Sequence, residues 1–232
     1  VYDKPCYIMN VSRMLFTMRK SLIPLAVCIL IATAGYFIFS STSPDGGADK
    51  TSKQAKMSGS DKDTLHETMN EMKQKAESYD ENYESLAMSR AASELAEDML
   101  GQADDKAKLE TAAGVFAGYM VRNTMGLKAY CAGHGVDVSP FTNAFKAQHK
   151  DMAETAEKYY VIENQMQAIY DEMKDTLTKL IDQEMSDVAA MMGYKSNAQS
   201  CEWMNSSAEQ VLEHAKFEKA VPAAYAVLAG AE

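Results

Sequence analysis

Residues Ser139–Met192 read SPFTNAFKAQHKDMAETAEKYYVIENQMQAIYDEMKDTLTKLIDQEMSDVAAMM, and the fold turns on whether this stretch is one helix or two. Ser139 is a good N-cap, and Pro140 behind it suits a first helical position. From there Phe141, Phe145, Met152, Ala156, Tyr159, Ile162, Met166, Ile169, Met173, Leu177, Leu180, Val188 and Met192 keep helical spacing as far as Gly193. Taken as one rod, Pro140–Met192 would be about 80 Å long, far longer than its neighbours. In an up-down order such a rod sets Cys131 and Cys201 at opposite ends, whereas a disulfide needs Cα atoms within about 7 Å of each other. The two inferences exclude one another. Exported cysteine pairs seldom stay reduced, so the sequence favours a Cys131–Cys201 bond and a chain that bends back within 160–178. There Val161, Ile162, Thr176 and Thr178 lower helix propensity, although no Gly or Pro marks the place.

Working outward, Cys131–Pro140 (CAGHGVDVSP) is the clearest loop, broken by Gly133 and Gly135. Before it the pattern predicts a helix over 106–130 with Leu109, Ala113, Phe116 and Met120 inward. On that helix Ala113, Gly114, Ala117 and Gly118 leave a smooth surface for close helix approach. Gly101 with Asp104 and Asp105 predicts a turn. Earlier still, Leu65, Met69, Met72, Ala76, Tyr79, Tyr83 and Leu86 alternate by four and three, a heptad seam held for three repeats. The stripe then slips onto Met88, Ala92, Leu95 and Met99. After Gly193 a helix over 198–220 uses Cys201, Met204, Ala208, Val211 and Ala215, until Pro222 interrupts it. The apolar tail 223–232 is short enough to dock or fray. Strand-like alternation is absent. Residues 61–232 therefore read as an all-α, antiparallel helical bundle with coiled-coil-like packing.

The N-terminal part has a different character. Leu22–Phe39 is an uncharged run directly behind Arg19 and Lys20, and as a helix it spans about 27 Å, the hydrocarbon thickness of a bilayer. Arg13, Arg19 and Lys20 precede the run and Asp45 and Asp49 follow it. The positive-inside rule then leaves 1–21 as a short cytoplasmic segment, makes 22–39 a single transmembrane anchor, and exports the rest to a periplasmic or extracellular space. Ala32-Thr33-Ala34 offers the competing reading of a signal cleaved near Ala34, which leaves a secreted body. Cutting there would expose the apolar stretch 35–39 to water, so the anchor is preferred. The chain starts with Val1, and Met18 opens the cleanest basic segment, so 1–17 receive no assignment. Residues 40–60, rich in Ser, Thr, Gly and Lys, form a flexible linker.

Charge narrows the partners. The chain carries a formal −10; residues 61–232 hold 12 Asp and 18 Glu against 16 Lys plus Arg, while 1–60 hold 7 basic and 3 acidic groups. An acidic body repels phosphate backbones, which argues against nucleic acid. Chemistry-bearing motifs are few. Cys131-x-x-His134 with His149 matches half a zinc finger only. Met191 and Met192 with Met204 form the one methionine group with a case for a soft metal, yet Met is more often a core filler. Glu213-His214 and Asp63-x-x-His66 resemble fragments of carboxylate–histidine sites, but the chain has no Glu-x-x-His. Haem-attachment, phosphate-loop and hydrolase motifs are missing. No catalytic residue, cofactor or metal is therefore assigned, and the chain is not expected to be an enzyme. The expected function is a membrane-anchored, envelope-facing structural or protein-interaction module. Leu65, Met69, Met72, Tyr79, Tyr83 and Leu86 form its candidate seam for a partner or for self-association. The alternative is a ligand-sensing helical domain working with a signalling partner, or a metal-binding protein.

Overall fold

The computed structural model describes residues 59–160 and 162–231. In chain order its helices are α1 (Gly59–Glu77), α2 (Glu84–Gln102), α3 (Asp105–Val121), α4 (Leu127–Gly133), α5 (Ser139–Gln148), α6 (Lys150–Glu157), α7 (Ile162–Met192), α8 (Asn197–Ser206), α9 (Ala208–His214), α10 (Phe217–Ala220) and α11 (Pro222–Ala229). A π-helical stretch, Arg122–Gly126, joins α3 to α4. No strand occurs among the described residues. The expected transmembrane run 22–39 lies outside them. Among the described residues no helix is long and apolar enough to cross a membrane.

The bundle is built around α3. Every residue from Ala112 to Val121 is buried, on all sides of the helix, as expected of a helix that is apolar all round. The Ala and Gly positions of this segment let α2, α6, α7 and α11 pack against it. Asp104 caps the helix, its Oδ1 accepting from the Ala107 N–H at 2.9 Å. The turn expected at 101–105 is where the chain passes from α2 to α3.

The long stretch is three helices: it breaks at His149 (φ −103°), between α5 and α6, and again between the end of α6 at Glu157 and the start of α7 at Ile162. The reversal thus falls at the leading edge of the 160–178 window. Thr176 and Thr178 lie within an uninterrupted helix, and the Thr178 hydroxyl donates to the Lys174 carbonyl at 2.7 Å. Such a back-bond satisfies the hydroxyl within the helix, and the small propensity cost of Thr is outweighed by the burial of Leu177 and Ile181 on the same helix. Gly193, with φ +72°, closes α7 by a Schellman arrangement: Tyr194 N–H donates to Ala189 O at 2.8 Å and Gly193 N–H to Ala190 O at 3.4 Å. At the other loop Ser139 is the first helical residue rather than the cap, and Asp137 accepts its N–H at 2.9 Å.

Two continuous helices expected from the sequence are broken. The seam 65–86 is a hairpin, because α1 stops at Glu77 and α2 starts at Glu84. Ser78, Asp80 and Asn82 compete for backbone there, and Ser78 Oγ donates to Lys75 O at 2.6 Å. The helix expected over 198–220 is divided into α8, α9 and α10. Ser206 Oγ, bonded to Trp203 O at 3.1 Å, marks the first break. The shorter pieces allow Phe217 to turn inward to 2 % exposure. Pro222 starts α11 rather than ending order, and the tail docks with Ala224 and Leu228 fully buried.

Because the chain doubles back, α8 returns to α4. Cys131 and Cys201 meet with Cα atoms 5.8 Å apart and form a disulfide across 70 residues. Closing a loop of that length is worth about 4 kcal/mol by the chain-entropy model. The double variant Cys131→Ala/Cys201→Ala is therefore expected to lose about 4 kcal/mol of unfolding free energy in urea titration. A loss below about 1 kcal/mol would mean that packing alone holds α8 on α4.

Candidate functional site

Three places in the bundle concentrate polar or aromatic groups. The first is a buried charged spine between α3, α7 and the N-terminus of α2. Arg122, 1 % exposed, donates from Nη2 to the Glu184 carboxylate. Its Nη1 donates to Asn123 Oδ1 at 2.5 Å. The π-helical geometry explains why these groups stand here. Leu127 N–H reaches back to Arg122 O, five residues behind, which shifts the carbonyls of the preceding turn out of register. Asn123 Nδ2 donates to Tyr119 O at 2.9 Å, and Thr124 Oγ1 to Met120 O at 2.7 Å. Gly126 completes the turn, since a Cβ there would lie 3.1 Å from Ile181 Cδ1 on α7. Burial pulls the Arg122 guanidinium down to about 10, so it remains a cation at neutral pH.

One turn along α7, Asp187 accepts from the Ser85 N–H at 3.2 Å and from the Ser85 hydroxyl. Tyr83, at the N-cap of α2, makes no side-chain cap. Asp187 therefore caps α2 from another helix, placing a carboxylate at the positive end of its dipole. The spine reads chemically as a register device. Slipping α7 along α3 would leave a buried charge without its partner, so the pair disfavours shifted alignments.

The second place is the junction of α4, α7 and α8 beside the disulfide. Tyr130 donates to Asp182 Oδ1 at 2.6 Å, and Asn197 Nδ2 lies 2.8 Å from the Tyr130 hydroxyl and 3.1 Å from Asp182 Oδ1. Burial, followed by the Asp182 hydrogen bond, raises the Tyr130 phenol far above its ordinary value. It stays a neutral donor. Ser200 Oγ donates to Met185 O at 2.9 Å in the same junction. These bonds pin α8 to α7 close to the cysteine pair.

The third place surrounds His149, which is 4 % exposed between α5 and α6. Its ring packs on Phe145 at 4.3 Å and on Tyr119 at 5.5 Å between centroids. Nδ1 lies 2.9 Å from Phe145 O, and Nε2 accepts from the Phe217 N–H at 3.2 Å. A cleft of about 270 Å³ opens beside it, bordered by Asp151, Met152, Lys216 and Tyr225. Arg122, Glu184, Asp187 and this role of His149 were not anticipated. Glu184 and Asp187 look like the solvated face of α7, whereas Arg122 directly follows the apolar run 112–121, and a lone charge in that setting is the signal that could have marked it as buried.

The residues expected to carry chemistry are dispersed. Cys131 is consumed by the disulfide, His134 is exposed with its ring 4.7 Å from Tyr130, and His149 is held in the core. Among the described residues no group of three or more His, Cys, Asp or Glu could hold a metal. Met204 belongs to the main core, whereas Met191 and Met192 pack on Val188. Glu213 is paired with Lys216 at 2.8 Å and Lys219 at 2.9 Å, which hold its carboxyl down to about 2. The side chains of Asp63 and His66 lie outside the described residues.

The candidate seam is split. Met72 is fully buried in the main core. Tyr79 is half-buried, donates to Glu94 Oε2 at 2.6 Å, and carries Arg90 over its ring at 4.4 Å. Tyr83 and Leu86 are half-buried at the start of α2, and Leu86 packs on Val188 together with Met191, Met192 and Trp203. The side chains of Leu65 and Met69 lie outside the described residues. Set against protein-family models, curated proteins and solved structures, the chain finds no match.

The spine yields a direct test. Arg122→Met leaves Glu184 buried without its cation and is expected to cost about 3–5 kcal/mol in chemical denaturation. Adding Glu184→Leu is expected to restore most of that loss. A double variant no more stable than the single one would contradict the pairing.

Proposed function

We propose that the protein is a membrane-anchored, envelope-facing helical module that works by contacting another protein rather than by catalysis. The Cys131–Cys201 disulfide carries this reading, because such bonds persist in oxidising, exported compartments and are rare in reducing ones. The uncharged run 22–39, with basic residues before it and acidic ones after it, supplies the anchor and the direction of export. Residues 40–60 then tether the body at a distance from the lipid. In this arrangement the helices run antiparallel with coiled-coil-like seams, and the acidic body faces the periplasmic or extracellular side.

The contact surface in this proposal is the end of the bundle where α2 begins. Leu86, Met191, Met192 and Trp203, each half-buried, gather around Val188, and Tyr83 stands beside them at the N-cap of α2. Trp, Tyr and Met are the residue types enriched at protein interfaces, and a clustered apolar patch is a favoured place for a partner. The charged spine supports the same reading. Arg122, Glu184 and Asp187 answer groups within the bundle, which suits a rigid presenting scaffold.

Crosslinking on intact membranes, combined with protease added from the outer side, tests location and partner together. The full chain is expected in the membrane fraction, with its body cut by the added protease and one crosslinked product of defined mass. Leu86→Glu with Met192→Glu is expected to abolish that product while leaving the helical content unchanged. A body protected from outside protease, in a fraction released by salt alone, would overturn the proposal.

A further inference from the structure

His149 is wedged between a backbone carbonyl on its Nδ1 side and a backbone N–H on its Nε2 side. Phe145 O, 2.9 Å from Nδ1, can only accept, so Nδ1 bears the proton. The Phe217 N–H, 3.2 Å from Nε2, can only donate, so Nε2 must be bare. Phe217 is the first residue of α10, and α10 leads directly into α11, which packs on α2, α3 and α6. Among the described residues the chain after Ala215 is thus held by the imidazole Nε2, by the apolar packing of Phe217, Val221, Ala224 and Leu228, by the surface pairs of Lys216 and Lys219 with Glu213, and at its end by the Tyr159 hydroxyl, 3.5 Å from Ala231 O.

We infer that His149 is a proton-operated latch: a solvent proton added at Nε2 takes the acceptor away from Phe217 N–H and loosens α10 and α11 from the rest of the bundle. Protonation would leave an N–H facing an N–H inside a ring of Phe116, Tyr119, Phe145 and Phe217. The Ala215 carbonyl can accept from an imidazolium, which moves the bond from Phe217 instead of restoring it. That carbonyl already receives the Tyr119 hydroxyl.

The groups facing the ring bear this out. From α3 comes Tyr119, whose ionisation burial pushes far up, so it stays neutral. From α5 comes Gln148, uncharged, with its amide bonded to Leu212 O at 3.0 Å. From α6 comes Asp151, from α10 Glu218 and from the chain just before α10 Lys216; α11 contributes Tyr225. Lys216 is paired with Glu213. Asp151 and Glu218 are exposed on the open side of the cleft, where water and salt screen their pull on an imidazolium.

Burial holds His149 below its ordinary value, against the opposing backbone contacts of Phe145 and Ala215. With α10 and α11 open, the ring returns to about 6.5. The open state therefore binds more protons, so closure strengthens as pH rises. The latch is fully set above about pH 6.5 and is released as pH falls from there towards the depressed value of the closed state. It operates in whichever compartment the body resides.

Hydrogen exchange on the full chain, corrected for intrinsic rates, tests this. Between about pH 7.5 and about pH 5.5 the Phe217–Ala229 amides are expected to lose protection relative to α7, by up to about tenfold. His149→Gln, which offers a donor and an acceptor but does not titrate, is expected to show no such loss. Equal loss across all helices, or the same loss in the variant, would overturn the latch. Nitrogen-resolved imidazole spectra of the wild type give a reading that needs no variant. An Nδ1–H ring that stays neutral below about pH 6.5, with the Phe217 amide shifting as it titrates, is the expected result. An Nε2–H ring, or a titration that leaves that amide unmoved, would contradict it.

Discussion

The doubling back of the chain between α6 and α7, locked by the Cys131–Cys201 bond, is the constraint on which the bundle depends. Without the reversal, α7 would extend the line of α5 and α6, and its apolar face would have no partner. With it, α7 lies along α3 and Ile169, Met173, Leu177, Ile181 and Met185 enter the main core. The disulfide acts on the unfolded chain as much as on the folded one, because it removes the most extended conformations of the 70 residues it encloses. The Tyr130, Asp182 and Asn197 hydrogen bonds orient the same junction once it has formed.

Around that constraint the core divides its work. Ala- and Gly-rich α3 gives closeness, and aromatic side chains of its C-terminal half and of α5 give bulk, with Phe116 and Tyr119 on the one and Phe141 and Phe145 on the other all fully buried. Apolar packing of this kind is permissive about alignment, because one methyl substitutes for another. The Arg122–Glu184 pair and the Asp187 cap on α2 are not. They penalise a shifted α7 by leaving a charge buried without its partner. The π-helical turn begins at Arg122 and shifts the register of the residues that follow it into α4. Stability thus comes mainly from the apolar contacts, and alignment from a few polar ones.

Much of this was legible in the sequence, and its limits have physical causes. The all-α class followed from helical periodicity and from the scarcity of proline after Pro44, and the disulfide from two cysteines in a polar body. The loop expected at 131–140, which is narrower in the structure because α4 runs to Gly133 and α5 starts at Ser139, and the end of α7 at Gly193 were marked by glycines that adopt, at Gly135 and Gly193, positive φ. What escaped were breaks without such markers. The hairpin between α1 and α2 keeps a heptad spacing across its turn, so periodicity alone runs straight through it. The division into α8, α9 and α10 serves the burial of Phe217, a tertiary demand that no local pattern announces. The buried carboxylates were invisible for the same reason: a Glu or Asp on amphipathic α7 reads as solvated until a neighbour covers it, whereas Arg122, directly behind the apolar run 112–121, carried a signal that went unused. Of the methionines on inward stripes, Met72 and Met173 are buried in the core, and Met152 and Met166 pack against it partly buried.

The most direct measurement is peptide mapping of the full chain isolated from its own cells, with free thiols alkylated before any reductant is added. One peptide pair joining Cys131 to Cys201, with neither cysteine alkylated, is the expected result. Both cysteines alkylated in protein that still shows the helical content of the bundle would contradict the staple, and with it the compartment in which the protein is proposed to work.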